Sequence, residues 1–305
     1  MNPTINRTIL FALLSVSFLP SFSQNLDSLM EQNEPEETVY TSATFKGTRL
    51  INGHSVELPG KGVWQLMFSH RFGTLEDPVY TFLGMNQAAI RFGLDYGISN
   101  KLAVGIGRSS GLGGFVPPPT YDFYAKYKII SQSAGVINMP FTISILGALA
   151  IDTEKWPPGV IRTDNDRFAY TGQILIARKF SERFSLQLMP TFLHRNLVEA
   201  DDQKTTLFSM GVGARLKVSK RMALTAEYYY NQSNTIGEGF YNPVAIGFDV
   251  DTGGHVFQIM LTNSTGLIEP QFLGRTTTNF TDGAKAVRLG FNFSRVFNSK
   301  KNNKK

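Results

Sequence analysis

The sequence predicts an all-β chain, a closed antiparallel transmembrane β-barrel of about twelve strands of the outer-membrane type. Three observations predict it. Segments of about ten residues alternate apolar and polar side chains, as transmembrane strands do. Their apolar faces carry rings where a water-facing sheet carries charges, and the connections between them are short and long in turn. The clearest segment is GVWQLMFSHRFG, in which Trp64, Leu66, Phe68, His70 and Phe72 share one face and Gln65, Met67, Ser69 and Arg71 the other.

In chain order, residues 1–23 read as a secretory signal. Arg7 precedes an apolar run from Ile9 to Leu19, and the small residues Ser21 and Ser23 stand before Gln24. That run is shorter than the roughly 20 residues needed to cross a bilayer as a helix, and no later segment reaches that length. The chain has no cysteine, so an exported protein of this kind is held by packing or by a closed hydrogen-bond network. The net charge of +6 is modest and partly made by the final KKNNKK, which argues against a nucleic-acid partner. Residues 24–43 are acidic, lack periodicity and read as a flexible leader. Residues 44–61 alternate only in part; they are expected to lie on the periplasmic side as a segment entering or capping the barrel mouth, with Arg49, Asn52 or His54 touching inward groups.

The barrel itself is expected over residues 62–297, with a basic tail over 298–305. Strands are placed near 62–71, 87–96, 101–109, 120–129, 141–150, 168–178, 183–193, 205–217, 221–230, 244–250, 254–262 and 286–297. Twelve is an even number, as single-chain bacterial barrels require. YGISNK, KFSER, KVSKR and DVDTGG make short turns, while 72–86, 110–119, 151–167, 194–204, 231–243 and 263–285 are longer, the asymmetry of periplasmic turns and extracellular loops. A sandwich also alternates, but its outer faces are polar. An open sheet in hydrocarbon leaves unpaired edge groups, so a lipid-facing sheet must close.

Candidate chemistry is sparse. The histidines at 54, 70, 194 and 255 have no metal-ligand spacing, and no cofactor is expected. His255 follows the DTGG turn and belongs to the lipid-side row with Phe257, Ile259 and Leu261, where a half-apolar ring suits the membrane interface. Ser69 and His70 are adjacent and therefore point to opposite faces, so they do not make a nucleophile and base; a lipid-modifying enzyme is the weakest of the readings. In GIGRSSGLGG no GK[ST] follows, so Gly105 and Gly107 are read as thinning the inward face of the third strand for bulky neighbours, with Gly111, Gly113 and Gly114 in a loop. The inward faces collect Arg91, Asp95, Lys126, Lys128, Arg215, Glu227 and Arg288, a net basic lumen lining that suits a narrow aqueous path or, if the charges pair across the lumen, a filled barrel.

The runs GTRLINGHSVELPGKGVWQLMFSHRFG (47–73) and GGHVFQIMLTNSTGLIEPQF (253–272) resemble signature pieces of a family of uncharacterised Bacteroidetes proteins, outer-membrane β-barrels built on a domain of unknown function. The resemblance covers about residues 40 to 297 and singles out Arg49, Asn52, His70, Arg71, Phe72, Gly73, His255, Gln258, Asn263 and Ser264. It implies a barrel in the outer membrane and no substrate. Two functions follow as expectations: a passive or narrowly selective pore for small solutes, or a structural or interaction protein with a filled barrel. In the second, WPPG in loop 151–167 and GLIEPQF in loop 263–285 present apolar groups to partners. The expected partners are outer-membrane lipids, the barrel-assembly machinery during biogenesis, and a small solute or a periplasmic protein.

Overall fold

A computed structural model describes residues 37–298 apart from 113–117, 157, 160–161 and 233–234. The signal segment, most of the leader, Gly113, Gly114 and residues 299–305 of the tail lie outside the described residues. Twelve strands form one closed antiparallel barrel. They are β2 (Val63–Thr74), β3 (Ala88–Gly97), β4 (Leu102–Leu112), β5 (Thr120–Ile130), β7 (Thr142–Asp152), β8 (Phe168–Lys179), β9 (Phe184–Arg195), β10 (Thr206–Lys217), β11 (Met222–Asn231), β12 (Val244–Asp251), β13 (His255–Thr262) and β14 (Arg288–Asn298). Each pairs with its neighbours in the chain, and β14 closes on β2 with Phe293 opposite Phe68. Every strand expected from the periodicity is present, displaced at its ends by a few residues at most.

The wall is inside out relative to a water-soluble sheet. Leu66, Phe92 and Leu224 point outward and are exposed, whereas Gln65, Arg91, Gln187, Glu227 and Arg288 point inward and are buried. In water such side chains would forfeit about 1.5–3 kcal/mol each relative to burial, so the outer face requires an apolar solvent. The alternation also places His255 on the outer face, its ring 5.4 Å from that of Phe293. Ser69 points in and His70 out, the latter stacked on Phe291 at 5.4 Å, so the two do not converge.

One rim carries the short connections 98–101, 180–183, 218–221 and 252–254, and the other carries the long ones. The short-turn rim also holds a two-stranded sheet in which β1 (Val39–Tyr40) pairs with β6 (Ser133–Ala134). Part of the expected flexible leader, residues 39–40, is therefore ordered, because the connection 131–141 offers β1 a free edge; Thr41 N extends the pairing to Gln132 O at 2.8 Å.

Two further segments fill the barrel. Residues 44–58 leave the short-turn rim, run into the interior as a hairpin and return to β2. Its arms are joined by Ser55 N to Thr48 O (3.0 Å), and its tip by Leu50 N to Gly53 O (2.8 Å). The segment expected to enter or cap the barrel mouth lies deep inside: Arg49, Asn52 and His54 are all buried. From the opposite rim the connection 263–287 folds inward and carries a short helix, α1 (Glu269–Gly274), whose residues are all buried. The expectation that GLIEPQF presents apolar groups to partners is corrected here. Leu267, Ile268 and Phe272 are buried, and Phe272 and Leu273 join Leu50 and Val56 of the hairpin in an apolar cluster with Leu175, Met189, Leu193, Leu207 and Tyr229 of the wall. Apolar groups in a loop over a wide barrel reach their own interior before any partner.

Candidate functional site: the hairpin and its polar wall

A hairpin inside a barrel has no sheet to pair with, so its inward amides and carbonyls need other partners. The wall supplies them through side chains, since its own backbone is used by its strands. On one arm and its tip, Gln258 Nε2 donates to Leu50 O (2.6 Å) and Asn292 Nδ2 to Ile51 O (2.8 Å). On the other arm Gln187 uses both ends of its amide, donating to His54 O (2.7 Å) and accepting from Val56 N (2.8 Å). Lys126 joins the two arms, with Nζ donating to Thr48 O (3.2 Å) and Ser55 O (2.8 Å).

The tip is held by charge. The Glu227 carboxylate accepts from three successive amides, Ile51 N at 3.2 Å, Asn52 N at 2.7 Å and Gly53 N at 3.3 Å. Arg71 Nη2 donates to Asn52 Oδ1 at 2.7 Å. Gly53 is required by the close approach of Tyr229, whose hydroxyl occupies the place a Cβ would take. Arg49 spans both fillings: Nη1 donates to Asn52 O (2.8 Å) within the hairpin and lies 3.3 Å from Glu269 Oε1 of α1. His54 packs edge-on against Tyr124, with ring centroids 4.5 Å apart, and its Nε2 lies 3.9 Å from the same Glu269 oxygen.

The other residues expected to line the lumen fall into three groups. Asp95 accepts from Thr48 Oγ1 at 3.2 Å and Lys128 lies 3.9 Å from Glu57, so both face the hairpin. Arg91 faces Asp122 in the neighbouring wall, with Nε donating to Oδ1 at 2.9 Å. Arg215 stands on β10, and Arg288 is buried at the start of β14. Gly105 and Gly107 thin the wall as expected: a Cβ at either would fall on Tyr124 or on the Arg91 guanidinium. Asp122 and Glu269 are among the site residues that the sequence did not single out. Asp122 alternates with Tyr121 and Phe123 on β5, so its inward face was legible. Glu269 stood in a loop taken as external, and nothing local marked it.

The filling is two-sided. Towards β8–β11 the hairpin meets Leu175, Met189, Leu193, Leu207 and Tyr229; elsewhere it meets Gln65, Arg71, Asp95, Lys126, Gln258 and Asn292. The hairpin's polar contacts exchange for water at small net cost, whereas its apolar ones, those of Leu50 and Val56 in this cluster and of Ile51 with Ala245 and Met260, are lost outright.

A family model covers this whole arrangement, matching residues 45–297, from the hairpin to the last strand. The chain belongs to the family described as a membrane-bound beta-barrel domain (DUF5777). Among solved structures the barrel is similar to the NanC porin, with 7% identity over 78% of this chain and 100% of that one and a TM-score of 0.48. It is similar also to the KdgM porin, with 8% identity over 76% and 99% and a TM-score of 0.49. A third is outer membrane phospholipase A from Escherichia coli, with 8% identity over 78% and 90% and a TM-score of 0.40. No curated protein matches the chain.

Proposed function

We propose that the protein is a narrowly selective outer-membrane pore for small solutes, closed at rest by its own hairpin. The short-turn rim is then periplasmic and the long-loop rim extracellular, in keeping with the asymmetry of such barrels. On this reading residues 1–23 direct export, the barrel-assembly machinery inserts the chain, and lipid covers the outer face. The observation that carries the reading is the set of charged contacts at the hairpin: Lys126, Glu227 and Arg71 bind a segment that enters and leaves by the same rim. Withdrawal of that segment requires no wall strand to break, and it leaves those side chains lining the path. A second reading, a permanently filled scaffold, is favoured by the apolar cluster on the β8–β11 side.

The two are separated by conductance in planar bilayers. The mature chain and a variant lacking residues 44–58 are reconstituted, each first verified as a folded barrel by heat-dependent migration on gels. A gated pore gives rare openings in the first and sustained conductance in the second. A scaffold gives none in either, and that result rejects the pore.

A further inference from the structure

Charge is divided between the two rims. The short connections 98–101, 131–141, 180–183, 218–221 and 252–254 carry Lys101, Arg183, Lys220 and Arg221 against one acid, Glu182, whereas the long connections carry more acids than bases. At the short-turn rim a groove of about 230 Å³ lies between the turns that follow β8 and β10, lined by Glu182, Arg183, Lys217, Val218, Ser219 and Lys220. Lys217 N donates to Arg183 O at 2.7 Å and so holds the two turns side by side. Arg183 and Lys220 are exposed and Lys217 is half-buried. Glu182 is taken by Lys179, whose Nζ lies 2.8 Å from its Oε1, which leaves Arg183, Lys217 and Lys220 without an ion pair among the described residues. Three cations side by side repel one another and favour an anion between them.

The other border of the groove says what kind of anion. Val218 continues the outward row of Leu216 on β10, and Leu216 stands opposite Phe184 of β9. The rings of Phe180 and Phe184 lie 5.8 Å apart, and Phe180, Leu216 and Val218 are exposed on the outer wall. Arg178, in the outward row of β8, sets its guanidinium 5.0 Å from the centre of the Phe180 ring. Cations interleaved with rings at the edge of an apolar wall suit the boundary between headgroups and acyl chains. A soluble anion meets only the groove, whereas a phosphate joined to acyl chains meets the groove and the wall together.

We infer that this groove binds the phosphodiester headgroup of an anionic phospholipid, held by Arg183, Lys217 and Lys220 while the acyl chains lie on Phe180, Phe184 and Leu216. The inference rests on a lipid-facing outer wall and stands whether or not the barrel conducts.

The test uses the full mature chain with Trp64→Phe and Trp156→Phe, so that one new tryptophan reports: Phe184→Trp beside the groove, or Phe208→Trp at the long-loop end of β10 as the control. Each is reconstituted in vesicles of phosphatidylcholine and phosphatidylglycerol, with one lipid or the other brominated on its acyl chains, and the quenching gives the local ratio of the two. Phosphatidylglycerol should be enriched about fivefold or more at position 184 and not at position 208, and the excess should shrink in high salt. Arg183→Ser, Lys217→Ser and Lys220→Ser together should abolish it. Equal ratios at the two positions, or an excess at 184 that survives the three substitutions, would overturn the assignment. So would loss of the excess on adding free glycerol phosphate at the ionic strength of a chloride control, which would make the groove a site for a soluble anion. Should the triple variant fail to fold, Lys220→Ser alone decides: a fall of about twofold or more at position 184 supports the site, and no fall rejects it.

Discussion

Replacing Glu227 with alanine removes the carboxylate that accepts from the amides of the hairpin tip. Three amides then lose their partner, one at 2.7 Å and two at 3.2 and 3.3 Å. A buried donor left unsatisfied costs about 1–3 kcal/mol; with about 2 for the short bond and about 1 for each long one, the docked hairpin loses about 4 kcal/mol. At 1.4 kcal/mol per tenfold, the ratio of withdrawn to docked hairpin rises by about a thousandfold. Glu227→Gln keeps one acceptor oxygen and turns an NH₂ toward the amides, so it should fall between. The assay is paired: fraction of time open in planar bilayers, and protease cleavage within residues 44–58 of the folded barrel. Both should rise in the order wild type, Gln, Ala. A folded Glu227→Ala barrel with the open fraction and cleavage rate of wild type would refute the reasoning.

Other substitutions probe the same geometry. Arg49→Ala leaves Glu269 buried without its cation and should cost about 3–5 kcal/mol of docking, seen as more frequent openings in the bilayer assay; Glu269→Gln should do less. Gly53→Ala sets a methyl against the Tyr229 hydroxyl and should unseat the tip, and adding Tyr229→Phe should restore part of the protease protection, an interaction a double-mutant cycle measures. On the outer wall, Phe92→Arg near the middle of β3 should destabilise the barrel in lipid vesicles by about 2–4 kcal/mol in a denaturant titration.

The wall was legible because its cause is local. Period two over ten residues, rings on one face and glycine, asparagine or lysine at the turns place the twelve barrel strands without knowledge of any distant residue. The hairpin was half legible. Arg49, Asn52 and His54 stood out as polar groups just before the first strand, but their depth depends on contacts far along the chain, such as Lys126 to Ser55 across 71 residues and Glu227 to Asn52 across 175. Loop 263–285 was the least legible part. Ile268 and Phe272 look alike in sequence whether they meet a partner or their own barrel, and only the width of the closed sheet decides. The ordering of residues 39–40 depends likewise on the remote edge at Ser133–Ala134.

Closure of the lumen by the hairpin is tested most directly by thiol access at its buried arm. The chain has no cysteine, so Ser55→Cys gives a single reporter at a fully buried position, and Ser219→Cys in an exposed short turn gives the control. In proteoliposomes with the short-turn rim outward, a membrane-impermeant thiol reagent should label residue 219 at once and residue 55 only slowly, the latter accelerating by orders of magnitude when Glu227→Ala is added. Labelling of residue 55 in the otherwise unaltered chain at the rate of residue 219 would contradict a closed lumen.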